Sequence, residues 1–153
     1  MLRILRFFGA FVIGISLDQG SKYLAQKSLS YFIPKIIIPN GLSFQLVHNY
    51  GAAYGVLQGQ RWLLLTMSFL VLLGCLIFRR QLTTSPYSKL GLLFLVIGTV
   101  GNFTDRLFRG YVIDFINIHV LPVFNVADMC IDFGVFLFIL EVFLVKNGTS
   151  RPS

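Results

Sequence analysis

Long apolar runs, interrupted at few polar positions, dominate the chain. A helix that spans a membrane needs about 20 mostly apolar residues. Four runs reach or approach that length, at about residues 4–24, 62–78, 90–107 and 126–145. The pattern predicts an α-helical integral membrane protein with four transmembrane helices. Because no linker or repeat interrupts it, we expect residues 1–153 to form a single membrane-embedded domain.

The first run begins like a secretory signal peptide, because Arg3 and Arg6 precede the apolar residues. However, no small-x-small cleavage site follows, and Asp18 to Lys22 continue the helical pattern. We therefore expect this run to be retained as a transmembrane helix.

The region between the first two runs has a different period. Within "IIIPNGLSFQLV", residues 36–47, two extended stretches flank a Pro-Asn-Gly turn, and apolar and polar residues alternate from Leu42 to Leu46. Alternating apolar and polar residues next to an Asn-Gly pair are typical of a β-hairpin. We expect a small β-hairpin or sheet over about residues 30–57, forming a cradle at the outer membrane surface. Residues 110–125 are predicted to be a short extended or turned segment.

Composition supports a membrane protein. The chain is 56% hydrophobic and 12% charged, with a mean hydropathy of +0.77. A soluble domain carries roughly 25% charged residues, and one of this length could not bury so much apolar surface in a single core. The net charge of +7 does not indicate a nucleic-acid partner, since the cations lie mainly at the ends of the apolar runs.

The positions of Lys and Arg predict an orientation, because cytoplasmic ends of spans are enriched in cations. With four spans, one side carries Arg3, Arg6, Arg79, Arg80, Lys89, Lys146 and Arg151. The opposite side carries Lys27, Lys35, Arg61 and Arg109 in longer connections. We therefore expect both termini in the cytoplasm.

The acidic residues avoid polar loops: they are Asp18, Asp105, Asp114, Asp128, Asp132 and Glu141. A carboxylate within a bilayer is costly, so each is a functional candidate. In the predicted topology most of them converge near the outer face.

Spacing suggests local roles for some of these charges. Asp18 and Lys22 are four residues apart and are expected to form an ion pair on one helix face. Asp105 and Arg106 are adjacent and point apart on a helix, which leaves Arg106 free to pair with a carboxylate of another span. Asp132 lies about one turn deeper than Asp128, and its spacing indicates no definite role.

Asp114 and Asp128 suggest a chemistry. Two carboxyl groups in contact cannot both ionise cheaply, so one keeps its proton. Such a pair provides a base and an acid, as needed to activate water against a peptide carbonyl and to protonate the leaving amine. The spacing is compatible with contact but does not require it. An aspartyl hydrolase is therefore one candidate function.

Two other functions remain open. Intramembrane carboxylates also relay ions in small transporters, although a relay should distribute polar groups through the bilayer, whereas residues 62–78 carry no charge. A non-enzymatic scaffold would explain the apolar composition but not the aspartates. No HExxH motif, Cys/His cluster or Walker loop is present, so we expect neither a metal nor a cofactor.

Four stretches, taken together, resemble the motifs of the bacterial lipoprotein signal peptidase (type II signal peptidase) family. They are "DQGSK" at 18–22, "NYGAAYG" at 49–55, "GNFTDR" at 101–106 with "VIDF" at 112–115, and "FNVAD" at 124–128. They occur in the order and between the spans typical of that family. Each stretch alone is weak, but the set covers most of the chain.

The resemblance implies a monomeric membrane aspartyl endopeptidase of the bacterial cytoplasmic membrane. Its expected substrates are diacylglyceryl-modified prolipoproteins, cut before the lipidated cysteine near the outer face, and its expected inhibitors are globomycin-like. The catalytic dyad falls on Asp114 and Asp128. Seven further positions are implied to bind substrate or support the dyad: Asp18, Lys22, Asn49, Gly51, Asn102, Arg106 and Asn125. For each asparagine, a buried structural amide is the alternative, and Arg106 is more typical of a structural counter-charge.

Overall fold

A computed structural model of the protein describes residues 2–83 and 85–146. In chain order the elements of this part are α1 (Leu2–Ser28), β1 (Lys35–Ile38), β2 (Leu42–Asn49), α2 (Arg61–Ile77), α3 (Arg79–Leu82), α4 (Pro86–Phe108), β3 (Val112–Asn117) and α5 (Val126–Lys146). The prediction of a mainly helical protein with a small antiparallel sheet is confirmed.

Helix α4 is the centre of the bundle: it packs along α5 and also contacts α1 and α2. Small residues allow the α4–α5 approach. A Cβ on Gly134 would lie 2.7 Å from the Gly91 carbonyl oxygen, and a Cβ on Gly91 would lie 3.0 Å from the Gly134 carbonyl oxygen. Larger side chains at either position would force the two helices apart.

The start of α4 is fixed by a reciprocal cap. The Ser85 hydroxyl accepts the Ser88 backbone N–H at 3.1 Å, and the Ser88 hydroxyl accepts the Ser85 N–H at 3.0 Å. Pro86 occupies the first helical position, where its missing N–H costs nothing. This capping box ends the connection from α3 and aims α4 across the bundle.

The sheet has the order β1-β2-β3 with antiparallel pairs. The predicted hairpin turn lies between β1 and β2, where Asn40 adopts a left-handed φ of 54° and the Gly41 N–H donates to the Ile38 carbonyl at 3.0 Å. The segment expected to be merely extended or turned contains β3, a third strand. Its pairing places Val47 opposite Asp114 and Asn49 opposite Val112.

The sheet rests on the end of α1 through a small apolar core. Ala25 of α1 packs with Leu46, Ile113 and Phe115, all of them buried. The register of β2 and β3 shifts between Phe44 and Val47. After that irregularity, β2 runs directly beside the start of β3 and carries Asn49 towards the helices.

The helices present broad apolar surfaces. Phe8, Leu17, Trp62, Leu76 and Phe143 are each at least 60% exposed, far more apolar surface than a soluble monomer shows. Among the described residues, one helix, Pro86–Phe108, meets a length and hydropathy criterion for a membrane span, and the apolar α2 is slightly shorter.

Of the predicted cytoplasmic cations, Arg151 and the side chains of Arg3 and Lys146 lie outside what the structure describes.

Candidate active site

Two aspartates from separate elements line one cavity of about 290 Å³. Asp114 comes from β3, and Asp128 comes from the first turn of α5. Polar side chains from β2 and α4 line the same cavity, and the loop before α5 supplies an apolar wall: they are Asn49, Asn102, Arg106, Leu121, Pro122, Val123 and Phe124. The structure thus brings the two carboxyl groups to one space.

A capping box positions Asp128. Asn125 immediately precedes α5, and its side-chain Oδ1 accepts the backbone N–H of Asp128 at 3.0 Å. In return, Asp128 Oδ2 accepts the backbone N–H of Asn125 at 3.1 Å. This reciprocal pair fulfils the hydrogen-bonding needs of the helix start. It also fixes the direction in which the remaining Asn125 amide group points.

That amide group reaches the second aspartate. Asn125 Nδ2 donates to Asp114 Oδ1 at 2.7 Å, and Asn49 Nδ2 donates to Asp114 Oδ2 at 2.9 Å. Asn125 therefore contacts both aspartates. Its backbone N–H and side-chain Oδ1 bond to Asp128, and its side-chain Nδ2 bonds to Asp114. Asp114 is only 2% exposed, so its carboxyl group is shielded from bulk water although it lines the cavity.

Asn102 of α4 completes the set of donors. Its Nδ2 donates to Asp128 Oδ1 at 2.7 Å, while its Oδ1 accepts from Lys22 Nζ at 3.1 Å and from Asn125 Nδ2 at 3.3 Å. Each of the four carboxylate oxygens of Asp114 and Asp128 therefore accepts one N–H. All four donors are uncharged amides, and each oxygen keeps a lone pair that could accept a further hydrogen bond.

The pKa of Asp114 is raised from its ordinary value of 3.8 to about 7. Burial is the largest cause, because desolvation penalises the charged form, and the neighbouring Asp128 carboxylate adds repulsion. The amide hydrogen bonds of Asn49 and Asn125 oppose the shift, as does the more distant Lys22. Near neutral pH, Asp114 can therefore either hold or release a proton.

Behind the cavity lies a buried cluster of opposite charges. Lys22 Nζ lies 3.0 Å from Asp18 Oδ2 and 2.9 Å from Asp105 Oδ2, and all three side chains are fully buried. Arg109 forms a further ion pair with Asp105. The expected local Asp18–Lys22 pair is present, but it extends to Asp105, a contact across 83 residues of chain that i, i+4 spacing could not predict.

The same cluster joins the backbone of neighbouring elements. Asp18 Oδ1 accepts the backbone N–H of Ala127 at 2.9 Å, and Asp105 Oδ2 accepts that of Ile113 at 3.3 Å. These two backbone positions directly precede Asp128 and Asp114. The cluster therefore sets the position of both aspartates without contacting either side chain.

Arg106 and Gly51 connect β2 to α4. Asn49 Oδ1 accepts the Gly51 N–H at 2.9 Å, and the Gly51 carbonyl accepts from Arg106 Nη2 at 3.0 Å. A Cβ at Gly51 would lie 2.7 Å from the Val56 carbonyl oxygen, so this turn requires glycine. Its spacing left Arg106 free to pair with a carboxylate of another span, but among the described residues its guanidinium forms no ion pair, and its Nε is buried without a partner.

The residues predicted to form the site fall into two groups. Those lining the cavity are Asn49, Asn102, Arg106, Asp114 and Asp128. Those beside or behind it are Asp18, Lys22, Gly51 and Asn125. Tyr54 lies in the stretch "NYGAAYG", but sequence reasoning did not name it as a site residue. Sequence reasoning missed the apolar wall at 121–124, which no pattern marks. Asp132, exposed on α5, also borders the cavity. Among the described residues, no group of three or more acidic, His or Cys residues is arranged to hold a metal.

Comparison with known proteins identifies the family. The profile of signal peptidase (SPase) II matches residues 10–144. The lipoprotein signal peptidase of Clostridium novyi strain NT is 37% identical over 143 residues, covering 90% of this chain and 95% of the relative. That of Syntrophomonas wolfei is 36% identical over 150 residues, covering 96% and 99%.

Solved structures agree with these relatives. A bacterial membrane enzyme determined by the in meso method at 2.3 Å resolution superposes with a TM-score of 0.87 and 25% identity, covering 98% of this chain and 94% of that one. A second, at 1.9 Å resolution, gives a TM-score of 0.80 and 27% identity, covering 91% and 93%. With its profile match over most of its length and relatives of similar size, the chain belongs to the signal peptidase II family of membrane-embedded proteases.

Proposed function

We propose that this protein is an aspartic endopeptidase that removes the signal peptide from diacylglyceryl-modified prolipoproteins, cutting on the N-terminal side of the lipidated cysteine. One observation carries the catalytic part of the proposal: Asp114 and Asp128 line one cavity, and uncharged amides contact all four of their oxygens. The substrate class follows from the family, whose members named above are lipoprotein signal peptidases.

In the proposed reaction Asp114 holds the shared proton and Asp128 is the base. The Asp128 carboxylate takes a proton from water as the water oxygen attacks the scissile carbonyl carbon, and Asp114 gives its proton to the carbonyl oxygen. The resulting diol then collapses. Asp128 returns its proton to the leaving amine as the C–N bond breaks, and Asp114 recovers a proton from the diol. Both carboxyl groups end in their starting states.

The amides favour this division of roles. A cation in direct contact would stabilise both carboxylates in the ionised form and remove the acid, whereas amides orient them without adding charge. A pKa of about 7 at Asp114 suits a group that must donate and regain a proton near neutral pH. Asn49, Asn102 and Asn125 are therefore positioning residues for the dyad.

Arg106 contributes to the same cavity in a second way. Its Nη2 holds the Gly51 carbonyl, while its Nε–H has no partner among the described residues. A peptide carbonyl entering the cavity could accept that hydrogen bond, which would help to stabilise the negative charge that develops on oxygen. We assign Arg106 to substrate binding as well as to the architecture of the turn.

The turn after β2 is suited to closing over the substrate. Tyr54 borders the cavity, is 74% exposed and has a left-handed φ of 58°. We propose that residues 49–55 act as a flap, with the sheet as a cradle beside it. A cross-link that restricts the flap should slow cleavage, whereas an unchanged rate would exclude this role.

The membrane arrangement belongs to the same proposal. We infer four spans, formed by α1, α2, α4 and α5, in a monomer of the bacterial cytoplasmic membrane. Both termini are then cytoplasmic, and the dyad is near the outer face. The acyl chains of the substrate stay in the bilayer while its peptide enters the cavity, which reduces the entropic cost of positioning the scissile bond. Globomycin-like cyclic peptides should compete for this cavity.

The test is a gel-shift assay with purified protein in detergent and a diacylglyceryl-modified prolipoprotein. Wild type should trim the precursor, and Asp114→Asn and Asp128→Asn should each lose activity by about a hundredfold or more. Asp132→Asn is the matched control, since it removes a carboxylate at the edge of the same cavity. If either dyad variant folds and keeps full activity, the dyad is misassigned. If wild type leaves lipidated precursor uncut, the substrate class is wrong.

A further inference from the structure

A cationic hollow lies at the end of the helix bundle away from the dyad. It is formed by the first turns of α1, by α3 and by the start of α4, and has a volume of about 630 Å³. Three cations line it, Arg79, Arg80 and Lys89. An adjoining hollow of about 320 Å³ shares Lys89 and adds Arg6. Lys89 and Arg106 are 17 positions apart on α4, so at 1.5 Å per residue roughly 25 Å separates the two ends.

Among the residues that the structure describes, no acidic side chain lines either hollow. All four cations are exposed, and within residues 2–83 and 85–146 none of them forms an ion pair. At the other end of the bundle, Lys22 and Arg109 are each paired with buried carboxylates. Four like charges around one concave surface repel each other, and an anion bound among them would relieve that repulsion.

The hollow continues into an apolar groove. Ala10, Leu90 and Leu93 line both the smaller hollow and a groove of about 860 Å³ between α1, α4 and α5. The groove is walled almost entirely by apolar side chains, among them Ile13 and Phe136. A cationic mouth that opens into an apolar groove matches a molecule with an anionic head and hydrocarbon chains. Free phosphate would satisfy only the mouth.

We propose that this surface, Arg6, Arg79, Arg80 and Lys89 with the adjoining groove, is a binding site for an anionic membrane phospholipid. The cations contact the phosphate of the headgroup, with the arginines able to do so through two parallel N–H donors. An acyl chain lies in the groove between α1 and α4. Basic pockets between transmembrane helices recognise anionic headgroups in this way. The cationic mouth shares no lining residue with the peptidase cavity, whereas the groove reaches Asp132, which borders both. Binding of the headgroup does not depend on the proposed cleavage.

The test measures binding of phosphatidylglycerol and phosphatidylcholine to the purified full chain by native mass spectrometry. The variant Arg79→Gln/Lys89→Gln removes two cations of the hollow, and Lys27→Gln/Lys35→Gln removes two exposed cations elsewhere. Each cation near an anionic lipid contributes roughly fivefold in affinity, so the first variant should bind phosphatidylglycerol on the order of thirtyfold more weakly. The control variant should stay within about twofold of wild type.

A second pair of measurements separates a lipid from a free anion. Ala10→Phe, which narrows the groove, should weaken phosphatidylglycerol binding but leave the cations intact. Inorganic phosphate at equal concentration should not displace the lipid from wild type. Equal affinity for the two phospholipids, an unaffected Arg79→Gln/Lys89→Gln variant, or displacement by phosphate would each overturn the proposal. In the first two cases the cations would serve membrane orientation only.

Discussion

Two groups of buried aspartates lie side by side in this protein and are held in opposite ways. Asp18 and Asp105 are fully buried, and each is within 3.0 Å of Lys22. Asp114 and Asp128 lie in the adjoining cavity, and the side chains that contact their oxygens are uncharged amides. The first group is neutralised by cations, whereas the second is only oriented.

This difference in partners gives the two groups of aspartates different roles, one structural and one suited to proton transfer. A carboxylate paired with a cation stays ionised and transfers no proton, but it can fix the backbone to which it is bonded. A carboxyl group held by amides keeps a pKa that responds to burial and to its neighbour. Asp18 and Asp105 accept hydrogen bonds from the backbone next to Asp128 and Asp114. The aspartates that are paired with cations therefore hold in place the two that are contacted by amides.

Breaking the charged cluster should have the largest effect. Lys22→Met leaves Asp18 and Asp105 without their shared cation, and loss of one partner of a buried ion pair costs about 3–5 kcal/mol. We expect a lower free energy of unfolding by that amount, measured by thermal or denaturant unfolding in detergent. Lys27→Met, at the exposed end of the same helix, should change stability by less than about 1 kcal/mol.

A double variant sharpens that test. In Lys22→Met, Asp105 keeps its ion pair with Arg109, but Asp18 loses its cation. Because Asp18→Asn removes that uncompensated charge, Lys22→Met/Asp18→Asn should be more stable than Lys22→Met alone. If Lys22→Met unfolds no more easily than Lys27→Met, the cluster does not support the fold as described.

The raised pKa of Asp114 should appear in the stability of the protein. Between its ordinary pKa of 3.8 and its folded pKa of about 7, the folded state binds the proton more tightly than the unfolded state. Stability should therefore fall as pH rises from about 4 to about 7 and level off above that. Asp114→Asn has no carboxyl group at this position and so does not lose stability in this way. Between pH 4 and pH 8 its free energy of unfolding should rise, relative to that of wild type, by up to about 4 kcal/mol. Parallel unfolding curves at all pH values would refute the shift.

Asn125 should matter to activity through its amide as well as its cap. Asn125→Ala removes both, and we expect cleavage to slow by about tenfold to a hundredfold, with a loss of about 1 kcal/mol in stability from the missing cap. Asn125→Asp preserves a capping oxygen but replaces the donor to Asp114 by a third carboxylate. It should lose the activity, and because the new carboxyl group is buried against Asp114, its stability should fall further below wild type as pH rises and that group is forced to ionise. Equal activity of Asn125→Asp and wild type would exclude the donor role.

Asp132 should give the smallest effect. It borders the cavity but is exposed, and it is not among the groups that shift the pKa of Asp114. Asp132→Asn should leave the cleavage rate within about twofold and stability within about 0.5 kcal/mol of wild type. If the midpoint of the pH profile of cleavage shifts in this variant, Asp132 belongs to the electrostatic environment of Asp114 and Asp128.

The elements that local patterns determine could be predicted from the sequence. The long helices fall on the four apolar runs, and the hairpin lies where Pro39, Asn40 and Gly41 indicate a turn. The convergence of the aspartates could be anticipated, because Asp18, Asp105 and Asp128 lie at the predicted outer ends of their runs and Asp114 lies in an outer connection. The family motifs selected the residues that line the cavity, although their roles stay predictions.

Contacts between distant segments could not be predicted. The pairing of β3 with β2 and the ion pair from Lys22 to Asp105 depend on how the helices pack, which no local spacing records. The Asn125–Asp128 capping box is different, because Asn and Asp three residues apart before an apolar run are a recognisable signal. The spacing of Arg106 left it free to pair with a carboxylate, but its guanidinium instead donates to the Gly51 carbonyl.

The pH dependence of kcat/KM for cleavage of a lipidated precursor tests the proposed proton on Asp114 most directly. With Asp114 as the acid, kcat/KM should fall about tenfold per pH unit above a midpoint near 7, because the free enzyme loses the proton that it must donate. The folded state should persist over the same range. A rate that stays constant up to pH 9 would contradict this assignment and would require a different donor.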